Sequence, residues 1–305
     1  MNDLSPSLVV VTGPTAIGKT RVAIELAKKL SAEIISCDSR QFYRELAIGV
    51  ARPTAEELAV IPHHLIGFLS VHDPYNVYRF EADVMKLTEK LFSRSNFVIL
   101  AGGSGLFIHA VTHGIDDLPD PDPGLRGQLN KKLESEGVER LQDQLRELDP
   151  DYFRIVDKHN PKRLLRALEV CLTTGRPYSS FRKSRPRIRP FRTVKIGLNT
   201  DRQKLYTKIN LRVDQMIASG LFEEARSLYP FRHLNALNTV GYKELFDFMD
   251  GKTDFPTAVE KIKTNTRRYA KRQLTWFNRD KEITWFEPEN LDEIVNYVKW
   301  YSINP

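Results

Sequence analysis

The sequence predicts an α/β protein: a parallel sheet flanked by helices, with a mostly helical lobe inserted into the chain. Three observations carry that expectation. A short β-branched run, Leu8-Val9-Val10-Val11-Thr12, stops at Gly13-Pro14 and gives way to a helical pattern, Thr20 to Leu30, with Val22, Ala23, Leu26, Ala27 and Leu30 on one face. Two more short apolar runs, Ala32 to Ser36 and Phe97 to Ala101, have the length and continuous apolarity of strands covered on both faces. From Asp116 the texture turns helical, and a strand-like run, Val194 to Leu198, returns only much later.

Between those points the elements follow in order. Asp117-Leu118-Pro119-Asp120-Pro121-Asp122-Pro123 is a stiff, acidic connector. Leu125 to Leu148 and Arg163 to Thr173 then read as helices, and the very basic run Arg182 to Arg192, broken by Pro186 and Pro190, as a loop. Beyond the returning strand, Arg202 to Ala218 and Thr257 to Phe277 have helical periodicity. Residues 1–115 and 194–305 are therefore expected to form the α/β core with basic carboxy-terminal helices, and residues 116–193 an inserted helical lobe.

The bulk properties bound the function. A chain of 305 residues exceeds what one compact core usually serves, which fits a core plus a lobe. Its 41% hydrophobic and 28% charged residues are those of an ordinary globular protein, which excludes disorder as the main theme. Cys37 and Cys171 are too few for a disulfide framework, and no Cys and His grouping has zinc-site spacing, so a reducing cytoplasm is expected. The amino terminus lacks a basic start followed by an apolar stretch, and no apolar run is long enough to span a bilayer, so neither secretion nor membrane insertion is expected. Charge is uneven: residues 1–150 hold 16 Lys and Arg against 21 Asp and Glu, net −5, whereas the remainder holds 30 against 18, net +12. A basic half beside a mildly acidic one suits a polyanion surface joined to a catalytic domain, although a merely solvated basic face has the same composition.

The chemistry begins at Gly13-Pro14-Thr15-Ala16-Ile17-Gly18-Lys19-Thr20, which fits G-x-x-x-x-G-K-[ST] between a strand and a helix and makes the fold P-loop NTPase-like. Glycines let backbone N–H groups approach phosphate oxygens, the helix amino terminus adds positive potential, Lys19 neutralises charge, and Thr20 can hold a magnesium ion. A plain strand-to-helix turn is the competing reading, and the lysine and hydroxyl at the helix start weigh against it. ATP hydrolysis does not follow from the loop. The strand Phe97 to Ala101 ends in Gly102-Gly103-Ser104-Gly105, with no carboxylate to support magnesium.

The best placed acid is Asp38, just past the second strand. Loops at the carboxyl ends of parallel strands converge on the ligand crevice, so Asp38-Ser39-Arg40-Gln41 and Gly102 to Gly105 should face the phosphate loop. A carboxylate there can accept a proton from a nucleophile, or it can cap a helix or orient magnesium through water. His63 and His64 are adjacent, point in different directions and lack a third ligand, so they do not suggest a metal. In Thr257 to Phe277, Arg267, Arg268, Lys271 and Arg272 gather in two turns; like charges at i and i+4 repel, and an anionic partner would relieve them. Interleaved Tyr269, Trp276 and Phe277 favour a nucleic-acid backbone over a solvated face.

Taken in order, these motifs resemble one family, the tRNA dimethylallyltransferases (tRNA isopentenyltransferases) of bacterial type. The likeness includes Gly13 to Thr20, Asp38-Ser39-Arg40-Gln41-Phe42-Tyr43, Ile48-Gly49-Val50-Ala51-Arg52-Pro53 and His63-His64-Leu65-Ile66. It continues through Gly102 to Phe107, Arg163 to Val170, Arg212-Val213-Asp214-Gln215-Met216, Val240-Gly241-Tyr242-Lys243-Glu244 and Arg268 to Phe277. No zinc finger of the eukaryotic kind follows.

The resemblance implies transfer of a dimethylallyl group from dimethylallyl pyrophosphate to N6 of adenosine 37 in the tRNA anticodon loop, with magnesium and release of pyrophosphate; the chain is expected to work as a cytoplasmic monomer. The P-loop would then hold the donor's pyrophosphate, with Lys19, Thr20 and Arg212 completing the clamp, and Asp38 would receive the N6 proton. Asp38, Ser39, Gln41 and Ser104 would meet the adenosine, while Arg40, Arg126, Lys162, Arg163, Arg166, Lys243, Lys271 and Arg272 would bind the tRNA. The chain departs from the family pattern at Val50 and Arg52 (more usually Thr and Lys), Ser104 (Thr), Phe107 (Tyr), Lys208 (Arg) and Asn278 (Arg). A nucleotide kinase, an isopentenyltransferase acting on free adenine nucleotides, and a non-catalytic RNA-binding module are the rival readings. The basic half argues against the first two, and the P-loop with Asp38 against the third.

Overall fold

A computed structural model describes residues 5–120, 122–182 and 187–303. Contacts divide the chain into two compact units, Met1–His113 with Ile188–Pro305, and Gly114–Arg187. The sequence reading puts the transitions at 115/116 and 193/194. The later return to the core falls at Ile188 because Arg189 pairs with Glu81 and donates to the Ala110 carbonyl, Phe191 is buried, and the Arg192 N–H bonds the Pro6 carbonyl at 2.8 Å. The loop expected over 182–192 therefore ends in a strand; residues 183–186 of it, like Pro121 of the acidic connector, lie outside the described residues.

The first unit opens with β1 (Ser7–Thr12), α1 (Lys19–Leu30), β2 (Glu33–Ser36), α2 (Ala55–Val60), β3 (His63–His64), α3 (Val77–Phe92), β4 (Phe97–Ala101) and α4 (Gly105–His113). The second unit holds α5 (Pro123–Leu148), broken at Gly137, then α6 (Pro150–Ile155) and α7 (Pro161–Thr174), around a core of its own that includes Leu141, Leu145, Phe153, Leu164 and Leu168. The chain returns through β5 (Arg192–Leu198), α8 (Arg202–Ala218), α9 (Leu221–Leu228), α10 (Tyr242–Met249), α11 (Phe255–Phe277), β6 (Ile283–Phe286) and α12 (Leu291–Ile303).

All six strands are parallel, in the order β3-β2-β4-β1-β5-β6. The four strands legible in the sequence form the middle. The two edge strands are not legible, since His63–His64 is only two residues long and Ile283–Phe286 follows a charged turn. Alternation along β1 explains the layers: Val9 and Val11 pack with α1 and α12 on one face, and Leu8 and Val10 with α3 and α4 on the other. A third apolar cluster, including Leu46, Val213, Leu221, Tyr242, Leu245 and Ile262, ties α8 to α11 beside the β2 loop.

Candidate active site

The phosphate loop connects β1 to α1 with the backbone its sequence requires. Gly13 has φ 144°, and a Cβ there would lie 2.4 Å from the Leu198 carbonyl oxygen. Ala16 and Gly18 also have positive φ, 64° and 104°, which curls the loop over the start of α1, while Ile17 is buried as its anchor. Lys19 Nζ donates to the carbonyls of Gly13, at 3.1 Å, and Pro14, at 2.8 Å. Part of the Lys19 side chain meets solvent, yet burial around its ammonium is the largest influence on it and pulls its pKa down to about 8. The Asp38 carboxylate opposes that shift, and the Arg212 guanidinium adds to it.

Asp38, Lys19 and Arg212, distant in sequence, are thus electrostatic neighbours. Burial likewise lowers the pKa of Arg212, with Asp38 opposing, and Arg212 has no hydrogen bond or ion pair among the described residues. Thr15, Asp38, Arg40 and Arg212 line one cavity together with Thr239, Thr266, Tyr269 and the apolar side chains of Val50, Ile209, Val213, Met216, Leu221, Val240 and Ile262. Asp38 sits in a turn in which its own Oδ1 accepts the Arg40 N–H at 3.0 Å. The Thr20 hydroxyl, beside Lys19 at the start of α1, has no hydrogen-bond partner among the described residues.

One glycine contact and one serine hydrogen bond bring the loops together. A Cβ on Gly102 would fall 2.0 Å from the Cys37 carbonyl oxygen, so the turn after β4 can press against the Asp38 loop only as bare backbone. Ser104 then fastens that turn, its Oγ accepting the Ser39 N–H at 3.1 Å.

Other residues expected at the tRNA are occupied within the protein. The Arg40 guanidinium donates to the carbonyls of Asn235, Ala236 and Asn238. Gln41 accepts from the Ser36 hydroxyl and donates to the carbonyls of Val50 and Ala51, so its side chain holds the cavity wall. In the second unit, Arg126 and Arg166 both engage the buried Glu169 carboxylate, and Arg166 also donates to the Pro119 carbonyl at 2.6 Å. Lys162, Arg163, Lys243, Lys271 and Arg272 are exposed.

Three residues to which the sequence assigns no role of their own prove to hold the loops around the cavity. Glu224 accepts backbone N–H groups from Ala47, Ile48 and Gly49 and the Tyr242 hydroxyl, clamping the loop that carries Val50. Arg52 donates to the Tyr43 and Leu46 carbonyls. Gln273 of α11 is the sharpest case: its Oε1 accepts the Thr15 N–H at 2.8 Å and its Nε2 donates to the Gly103 carbonyl at 2.9 Å, locking the phosphate loop to the second glycine turn. Its place inside Arg268 to Phe277 is the signal that could have found it. Of the departures, Val50 lines the cavity, and Phe107 packs on Phe42 and Phe80, an apolar setting for a ring without a hydroxyl.

Among the described residues no three His, Cys, Asp or Glu side chains could hold a metal. His63 bonds the Ile61 carbonyl and His64 the Glu33 carboxylate. No helix of the described residues is long and apolar enough to cross a membrane.

A phosphate loop at the carboxyl ends of a parallel sheet, beside a cavity lined by one carboxylate, two arginines and several apolar side chains, defines a P-loop-type enzyme. Known proteins narrow this class. The chain is 52% identical to the tRNA dimethylallyltransferase of Christiangramia forsetii over 97% of its own length and 98% of that protein. It is 49% identical to tRNA dimethylallyltransferase 1 of Bacteroides thetaiotaomicron over 98% and 97%. Among solved structures it resembles the tRNA isopentenylpyrophosphate transferase of Bacillus halodurans, with TM-score 0.71, 38% identity and 97% of each chain covered. It also resembles a eukaryotic dimethylallyltransferase acting on tRNA, with TM-score 0.79, 25% identity, and 98% of this chain and 78% of that one covered. The IPP transferase family model matches residues 41–280, and the chain belongs to that family.

Proposed function

We propose that the protein transfers a dimethylallyl group from dimethylallyl pyrophosphate to N6 of adenosine 37 in the anticodon loop of tRNA. The carbon–oxygen bond to pyrophosphate breaks as the carbon–nitrogen bond forms, pyrophosphate leaves, and the N6 proton passes to Asp38. One observation carries this reading: Asp38 and Arg212, the two charged groups that act on Lys19 of the phosphate loop, line one cavity together with a set of apolar side chains. A five-carbon allylic tail suits the apolar side chains, its pyrophosphate suits the cations, and the carboxylate faces both. Charge that grows on the leaving group meets fixed cations, which lowers the barrier without reorganisation.

A neutral exocyclic amine is a poor nucleophile, so holding N6 in line with the allylic carbon contributes more than Asp38 basicity. A stacked adenine cannot present N6 this way, and the base must swing out of the anticodon loop. Magnesium fits the mouth of the loop. It needs only one or two protein ligands, the rest coming from phosphate and water, and the unengaged Thr20 hydroxyl is suited to be one. When bound it supplies further neutralisation of the pyrophosphate. We assign the working form to a cytoplasmic monomer, which sedimentation of the purified protein checks.

The test is incubation of the protein with magnesium and labelled dimethylallyl pyrophosphate, offered an unmodified tRNA bearing A36-A37-A38 or free AMP. Label should enter the tRNA at A37. Labelled AMP beside untouched tRNA would sink the reading. Asp38→Asn should lower kcat by about a hundredfold or more while tRNA affinity stays within about twofold.

A further inference from the structure

Helix α11 carries an outward stripe that leads away from the catalytic cavity. Tyr269, Arg272, Trp276 and Arg279 follow at steps of three, four and three, the spacing of one helical face, with Arg279 in the turn that ends the helix. All four are exposed, Tyr269 to 37% and Trp276 to 43%. Tyr269 lines the cavity that holds Asp38. Trp276 and Arg279 line a second cavity, whose walls include His109 and His113 of α4 and whose floor includes Thr12.

The second cavity is built to keep its aromatic wall in place. A Cβ at Gly105 would lie 2.3 Å from both Cδ1 and Nε1 of Trp276, so the indole is seated against bare backbone. The cations differ in their freedom. Lys195 is neutralised by Asp280 and Glu282, both at 2.7 Å, whereas the Arg279 guanidinium has no hydrogen bond or ion pair among the described residues. An aromatic face with a free guanidinium beside it matches a nucleotide: a flat base to stack and a phosphate to hold.

Spacing says which nucleotides. Tyr269 and Trp276 are seven residues apart, about 10 Å along a helix. Neighbouring bases in a stacked strand are about 3.4 Å apart. The two rings therefore cannot take adjacent members of a stack, but they can take bases of a splayed single-stranded loop.

We infer that the second cavity is a nucleotide subsite, in which an unstacked base of the RNA substrate, other than the base being alkylated, stacks on Trp276 while Arg279 holds its phosphate. The inference rests on RNA being the substrate. The test uses the full protein and an anticodon stem-loop RNA bearing A36-A37-A38, with each loop base removed in turn and binding read by fluorescence anisotropy. Trp276→Ala should bind the intact stem-loop about tenfold more weakly, and Trp276→Phe within about threefold of wild type. One abasic position other than A37 should weaken wild-type binding by a similar factor and leave Trp276→Ala unchanged. Arg279→Ala, a surface change, should reduce the salt slope of binding by about one.

RNA that is alkylated and bound but shows no position dependent on Trp276, together with an unchanged slope in Arg279→Ala, overturns the subsite alone. Equal losses in Trp276→Ala and Trp276→Phe overturn it too, since they mark a packing role against Gly105. RNA that is neither bound nor alkylated overturns the substrate reading, and the subsite with it.

Discussion

At the scale of single residues, Lys19 carries the clearest electrostatic consequence. Burial holds its pKa near 8, against the resisting charge of Asp38, so its proton leaves far below the usual lysine range. The sign follows directly: below about pH 8 the ammonium is present to meet pyrophosphate, and above it the cation is lost. kcat/KM for the donor should therefore fall as pH rises through about 8, and Lys19→Arg should remove that limb, because a guanidinium stays charged. Bound pyrophosphate favours the charged lysine, so the matching limb in kcat should lie at higher pH. Initial rates against donor concentration from pH 6.5 to 9.5 separate the two profiles. A kcat/KM flat across that range in wild type would contradict the placement of Lys19 at the phosphate.

At the scale of elements, α11 does two jobs. Its outer face carries Lys271 and Arg272, and the next residue, Gln273, turns inward to bond the phosphate loop and the Gly103 turn. Gln273→Leu leaves the Thr15 N–H and the Gly103 carbonyl without these partners, and each such loss in a buried setting costs about 1–3 kcal/mol. Because both groups belong to loops that shape the donor site, the variant should raise the donor KM by about tenfold and lower Tm, with the tRNA KM little changed. Steady-state kinetics with each substrate varied in turn decides this. A rise confined to the tRNA KM would show that Gln273 serves the RNA and not the loop. Packing between elements also explains two motifs that the sequence presents as bare strings. Gly49 is required because the Tyr242 ring packs where its Cβ would stand, and Glu224 joins both segments in one clamp.

At the scale of the whole molecule, charge separates the tasks. The amino-terminal half supplies the phosphate loop and Asp38, while the +12 of residues 151–305 includes the exposed lysines and arginines of α7 and α11. Within the second unit Arg126 and Arg166 are not free charges, since the buried Glu169 engages both. Lys271→Ala with Arg272→Ala should weaken tRNA binding at low salt and make the log–log salt slope shallower by about two. Binding isotherms between 50 and 200 mM salt give the slope, and an unchanged one would remove these residues from the interface.

The α/β class, the four central strands, the phosphate loop and the two long helices α8 and α11 were determined by sequence alone. Each is a local pattern: a β-branched run, a glycine spacing, a 3.6-residue period. Asp38 was legible as a carboxylate past a strand end, because strand ends in a parallel sheet share one crevice. Only the tertiary structure decided that Asp38 and Arg212 bear on the charge of Lys19, since the three come from separate segments. The edge strands β3 and β6 depend on neighbours for their hydrogen bonds and have almost no pattern of their own. Arg40 and Gln41 read as ligand groups by position, and Gln273 has no role of its own in the sequence. Folding turns them onto backbone carbonyls and N–H groups that must be paired once buried, and which of those lie within reach is fixed by long-range packing.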